Sequence, residues 1–393
     1  MKDWTVISMD QWVINEMSKA LVHSIIGIRA GWRHETDRKR GITHFLEHAL
    51  LLGNDSYPSP DIESWKRGIQ IFGITNPENT LFWSTSTRED FQEVFKLLLS
   101  LVFHPHFNED KIEKEKHTKI IPAVTHETDF TAWELAYEWA MNLIFDWDFL
   151  LSLGVEKDIV SLTKEDLMVW HKRYYGSPNS FVVISGDVGE NKVAGIVEEA
   201  GVAANAEKPS PFQHHWDKKE VFVERNRMKN TEVVYGFRLP HYDVGYEILD
   251  IILCRYPLGK LWGDAFCKLS FAASSKLEWT NTSGGLLVNF AASSCDNVSE
   301  IDKNLWQLLR NFDIEERELE AAKKAMLLKM LLVKEGEGQA PLNFVKHPSV
   351  FISGSYEKML REVKQVDKNQ ILTLAASCLN EQNAIRVLVG PRE

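Results

Sequence analysis

The chain has 393 residues, a net charge of −11 and a pI near 5.7. That length exceeds one ordinary hydrophobic core and points to two domains of roughly 200 residues each. The acidic balance argues against a nucleic-acid partner, which needs clustered Lys and Arg, and 44% apolar with 26% charged residues describe an ordinary globular protein.

The opening residues lack a basic start followed by an apolar run, so no secretory signal is expected. No stretch reaches the roughly 18 apolar residues of a membrane helix, so no membrane partner is expected either. The four cysteines, Cys254, Cys267, Cys295 and Cys378, lie in the second half without C-x-x-C spacing, which leads to an expectation of reduced, buried thiols rather than a disulfide framework. On these readings a cytoplasmic protein is expected.

In chain order, "TVISMDQWVINE" (5–16) and "LVHSIIGIRAG" (21–31) read as a pair of strands. A helix follows in "GITHFLEHALLLG" (41–53), with Gly41 at its start and Gly53 just past its end. "EDFQEVFKLLLSLVFH" (89–104) carries Phe91, Val94, Phe95, Leu98 and Leu101 at helical spacing. "SFVVISGD" (180–187) closes the half with an apolar strand.

The pattern then repeats. "IVSLTKEDLMVWHKRYYGSPNSFVVISGD" from Ile159 aligns without a gap on "VKQVDKNQILTLAASCLNEQNAIRVLVGP" from Val363, 204 residues later. Asn179 meets Asn383, and Gly186 meets Gly390. "SIIGIRAG" from Ser24 resembles "VVYGFRLP" from Val233, pairing Gly27 with Gly236 and Arg29 with Arg238. The expected fold is α+β: two homologous halves, 1–203 and 217–393, each a mixed, largely antiparallel sheet with helices packed on one face. The linker, 204–216, is polar and carries Pro209, Pro211 and the adjacent His214 and His215, which read as solvated.

The 41–53 helix is the chemical candidate. At 100° per residue His44, Glu47 and His48 share an arc of about 100°. Two imidazoles one turn apart can reach one metal ion, and a carboxylate beside them can take a proton from metal-bound water. The bland alternative is a core helix with satisfied polar residues.

His44-x-x-Glu47-His48 is the inverted zincin motif. "GITHFLEHALLLGNDSYP" resembles the pitrilysin family of zinc peptidases, in its mitochondrial-processing-peptidase-like bacterial branch. "GIQIFGITNPENTLFW", "VFHPHFNEDKIEKEK" and "DIEERELEAAKKAML" extend the likeness over essentially the whole chain. The resemblance implies a zinc cofactor held by His44 and His48, with Glu47 as the catalytic base. It implies a peptidase acting on unfolded peptides such as leader or precursor peptides. It also implies a homologous two-domain partner chain, most simply in a heterodimer. Peptide is expected to add to an edge strand near Thr75, Asn76, Glu78, Asn79 and Thr80.

Two positions break the family's pattern. The family's third ligand is a glutamate at a position that here holds Pro122, 74 residues after His48, in "KHTKIIPAVTHETDF". If the helix breaks there, Glu127, His126 or Glu115 could serve, with Glu127 first because carboxylate is the family's choice. In "LGKLWGDAFCKLSFAASS", Phe266 and Ala273 stand where the family often has a substrate-holding Arg and Tyr. Both departures leave a second reading open: a non-catalytic partner that scaffolds an active zinc-bearing chain.

Overall fold

The computed structural model describes residues 10–14, 20–126, 130–147, 152–210, 212, 220–225, 228, 230–255, 259–280, 283–335 and 356–391. The chain forms two compact units.

The first unit is built on β1 (Asp10–Ile14), β2 (Leu21–Ile28), β3 (Ile71–Thr75), β4 (Thr80–Thr87) and β5 (Ser180–Ser185), in the order β1-β5-β2-β4-β3. Only β1 and β5 run parallel; the other pairs are antiparallel. The strands expected as a pair therefore are not neighbours. The closing strand β5 lies between them, and β3 is left at the edge.

The helices are α1 (Ile42–Leu51), α2 (Pro60–Arg67), α3 (Phe91–Phe103), α4 (Glu109–Glu115), α5 (Ile121–His126), α6 (Ala132–Phe145), α7 (Glu156–Ser161), α8 (Lys164–Tyr174) and α9 (Glu190–Glu199). Helix α3 buries Phe91, Phe95, Leu98 and Val102, one side of a 3.6-residue period, against Val22, Ile26 and Ile28 of β2 and Phe45 and Ala49 of α1. Burying one such side chain contributes about 1.5–3 kcal/mol, so this core fixes α1 against the sheet.

Helix α4 does not break at Pro122. It widens into a π-turn over Lys116–Ile120, where the Ile121 N–H donates to the carbonyl five residues back, Lys116 O, and then continues as α5. Proline lacks an N–H and crowds the carbonyl four residues earlier. The widened turn stands directly before Pro122, the second residue of α5, and changes the bonding pattern where proline cannot donate.

The second unit repeats the plan with β6 (Glu220–Glu224), β7 (Thr231–Leu239), β8 (Ser270–Trp279), β9 (Gly284–Ala292) and β10 (Ala384–Gly390), ordered β6-β10-β7-β9-β8. Its helices are α10 (Val244–Cys254), α11 (Asp264–Cys267), α12 (Asn297–Arg310), α13 (Glu316–Glu335), α14 (Tyr356–Gln365) and α15 (Lys368–Cys378). The two strand orders match position for position, as the repeat predicts.

One element departs from the sequence expectation. Helix α6, placed by chain order in the first half, belongs to the second unit. Its Leu135, Ala136, Ala140, Met141, Ile144 and Phe145 pack on Val234, Leu287, Ile385, Val387 and Val389. The second sheet is therefore covered on both faces, and the chain-order boundary at 204–216 does not separate the units cleanly. His214 and His215 lie outside the described residues.

Candidate metal centre

Helix α1 starts at Gly41, which sits in the left-handed region at φ 94°. A side chain there is barred twice, because a Cβ would also fall 2.9 Å from Leu153 O and from Ile159 Cγ1. The helix consequently has no side-chain cap of its own. Glu35, in the preceding loop, supplies one. The Gly41 N–H donates to its Oε2 and the Thr43 N–H to its Oε1, both at 2.8 Å.

On the body of the helix Phe45, Leu46, Ala49 and Leu50 turn into the core. His44 and His48 stack edge-on, with ring centroids 4.8 Å apart. Burial, then the neighbouring His48, holds the His44 pKa down at about 4, so the ring is neutral near pH 7 and free to act as a ligand. Its Nδ1 is buried and has no hydrogen-bond partner. His48 Nδ1 lies 2.8 Å from Glu115 Oε1. A carboxylate only accepts, so Nδ1 carries the proton and the Nε2 lone pair is left for a metal.

Glu47 is 6% exposed. Burial pushes its carboxyl above the ordinary value, against the opposing pull of His48 and of the Thr75 hydroxyl. The Thr75 Oγ1–H donates to Glu47 Oε2 at 3.0 Å. Across the same gap Gly73 leaves room for the carboxylate: a Cβ at residue 73 would sit 2.3 Å from Glu47 Oε1. Both Gly73 and Thr75 lie on the edge strand β3, so the acid is seated against the strand a peptide would extend.

The residues expected to bind substrate divide. Thr75 ends β3 and holds Glu47. Asn76 and Asn79 close the β3–β4 turn on each other, through Asn76 N to Asn79 O and Asn76 Nδ2 to Asn79 Oδ1, both 2.8 Å. Glu78 is buried in an ion pair with Arg33 at 3.0 Å, and Thr80 donates to Ala30 O at 2.9 Å from inside the sheet. The available edge is Ile71–Thr75. Phe266 and Ala273 are both buried in the second unit, 3% and 6% exposed, and offer no polar group to a substrate.

The third-ligand expectations separate in the same way. Glu127 and the side chain of His126 lie outside the described residues. Glu115 is already committed to His48, which suits an orienting role better than a ligand's. Among the described residues no three His, Cys, Asp or Glu side chains gather closely enough to hold a metal ion. The residues present thus fit the two-imidazole part of a zinc site, with one ring oriented by a carboxylate and the other carrying an orphaned buried nitrogen.

Sequence reasoning missed Glu35 and Gly73. Glu35 sits in the polar run "HETDRKR", which reads as a solvated loop, and Gly73 looks like an ordinary strand glycine. No local pattern separates either from its surroundings.

Residues 13–131 match Insulinase (Peptidase family M16), and residues 161–326 match the Peptidase M16 inactive domain. The chain belongs to peptidase family M16. Among its relatives, the uncharacterized zinc protease YmxG of Bacillus subtilis is 23% identical over 93% of this chain and 92% of its own. The mitochondrial-processing peptidase subunit beta of Saccharomyces cerevisiae is 22% identical over 93% of this chain and 85% of its own. The crystal structure of a protease from Helicobacter pylori superposes with a TM-score of 0.83 at 16% identity, covering 100% of this chain and 98% of that one. The family places α1 in the domain that bears the peptidase description. No helix among the described residues is long and apolar enough to cross a membrane.

Proposed function

We propose that this chain is a zinc peptidase subunit that hydrolyses unfolded peptides laid along β3, in partnership with a homologous two-domain chain. The observation that carries the reading is the seat of Glu47: a buried carboxylate with raised proton affinity, on the histidine face of α1, held by Thr75 of an edge strand.

His44 and His48 would hold the metal, with Glu127 or His126 as third ligand and Glu115 orienting His48. Zinc, when bound, polarises a carbonyl and acidifies water. Glu47 then takes the proton from the attacking water and delivers it to the leaving amine. Its burial suits that task, because a carboxyl raised toward neutrality can both accept and return a proton. The outer edge of β3 carries unpaired backbone groups that an extended peptide can complete, which aligns the peptide past Glu47. The names of the relatives support a zinc-dependent protease, and the processing-peptidase subunit beta supports an assembly of more than one subunit.

The test is Glu47→Gln, assayed on quenched fluorescent peptides with zinc counted by metal mass spectrometry. The variant is expected to retain its zinc and lose cleavage by about 10²–10⁴-fold. Cleavage at the parent rate would refute the reading.

A second reading is favoured by Pro122, Phe266 and Ala273: a non-catalytic, zinc-free partner that scaffolds an active zinc-bearing chain. About one zinc per chain, lost in His44→Ala, excludes it. No zinc, alone or with the partner chain, establishes it over the first.

A further inference from the structure

We propose that Glu35 is a positioning residue for the metal-binding helix: its buried carboxylate caps α1 and fixes, in place and in charge, the turn that carries His44. The inference rests on the zinc reading of α1 and adds a residue to it.

The geometry is specific. Both Glu35 oxygens are used, one on each of two early N–H groups of α1, at 2.8 Å. The side chain reaches them from six and eight residues upstream and is only 5% exposed. A local cap is impossible, because the cap position must be Gly41, with its left-handed backbone and its contacts on Leu153 and Ile159. The first turn of α1 therefore depends on a carboxylate brought in from the preceding loop.

The electrostatics make the charge matter as well as the bonds. His44 is the third residue of α1, at the positive end of the helix dipole. A dication held there is opposed by the unsatisfied N–H groups of that end. An anion buried against the same N–H groups offsets the repulsion. Burial pushes the Glu35 carboxyl up to about 7, while the Gly41 and Thr43 N–H bonds and Arg40 pull it down. Those two N–H bonds and Arg40 are what support the charged form against its burial.

The experiment uses the full chain with Glu35→Gln, which keeps the size and removes the charge, and Glu35→Ala, which removes both. Asp367→Ala is the control, because Asp367 caps α15 through the Gln370 N–H at 2.8 Å, in the second unit. Zinc affinity is read by competition with a chelating dye. Amide exchange of Gly41 and Thr43 is read in the metal-free protein. Glu35→Gln is expected to weaken zinc about tenfold, Glu35→Ala more, and Asp367→Ala by less than about twofold. Exchange at Thr43 should rise about tenfold or more in Glu35→Ala.

Parent-like zinc affinity in Glu35→Gln, or an equal loss in Asp367→Ala, overturns the proposal. If the parent chain binds no zinc, alone or with the partner chain, the zinc reading falls on its own. The capping role is then decided by exchange alone, where an unchanged Thr43 amide in Glu35→Ala overturns it.

Discussion

The two units put different chemistry on the same framework. In the first, α1 presents His44 and Glu47 toward an edge strand whose Gly73 pairs with Phe82. In the second, α10 presents Glu247 and Asp250, again three apart, toward the edge strand β8, whose Ser275 pairs with Val288. The registers tie these positions together: Gly27 faces Leu81 as Gly236 faces Leu287, one residue before Phe82 and Val288. Asp250 thus stands where Glu47 stands, and Ser275 hydrogen-bonds it as Thr75 bonds Glu47. The histidines have no counterpart. Instead Lys329 of α13 pairs with the buried Glu247 at 3.3 Å, an ion pair that neutralises the seat. Among the described residues the second seat holds a resident cation, Lys329, whereas the first keeps a buried imidazole nitrogen, His44 Nδ1, without a partner. The scaffold supplies a helix against an edge strand; a few side chains decide whether it does chemistry.

The contrast can be broken by experiment. The largest effect is expected from Glu47→Gln set beside Asp250→Asn: the first should abolish cleavage as described above, while the second leaves kcat within about twofold. Equal losses would mean that both seats act in catalysis. Next is acid stability. His34, His44 and His171 of the first unit each have a pKa of about 4, chiefly through burial. Each folded value lies below the unfolded 6.5, so each contributes stability above pH 6.5 that is lost as pH falls toward 4. That is on the order of 3 kcal/mol per histidine. Glu35, raised to about 7, runs the other way and offsets part of this. Asp250, raised to about 6 by burial, makes the second unit relatively firmer as pH falls through 6. Hydrogen exchange at pH 4.5 should show the first unit opening before the second; simultaneous opening would contradict the assignment.

Smaller changes sharpen the comparison within the first seat. Gly73→Ser imports the residue of the second unit and drives its Cβ against Glu47 Oε1. Overpacking of that kind costs about 1–3 kcal/mol, and cleavage should fall about tenfold or more, measured as kcat/KM with Tm alongside. Thr75→Val removes one hydrogen bond to Glu47. Its expected effect is about 1 kcal/mol, read as a few-fold drop in kcat with KM nearly constant.

The sequence carried the framework well because frameworks are periodic. Alternating apolar strands, the 3.6-residue face of α3 and the repeat at offset 204 each leave a signal many residues long. The H-x-x-E-H face was legible for the same reason: helical spacing alone puts those side chains together. The contacts that tune the site were not. Glu35 reaches Gly41 across a loop, Glu115 reaches His48 across 67 residues, and Gly73 matters only because Glu47 lies over it. Pairings of that sort depend on how elements pack, which no local pattern encodes. From the sequence, Pro122 leaves open a break in the helix. The π-turn absorbs it because backbone hydrogen bonding can shift by one residue at low cost, an option invisible in a residue list.

Helix α6 bears on how the molecule can be cut. The duplicated sequence suggests scissors at 204–216, yet a fragment starting there would leave behind the helix that shields Val234, Leu287, Ile385, Val387 and Val389. An apolar sheet face bared to water invites association between copies. The unit of duplication and the unit of folding are different lengths of this chain. A soluble second unit would have to begin ahead of Ala132 and carry everything between as cargo.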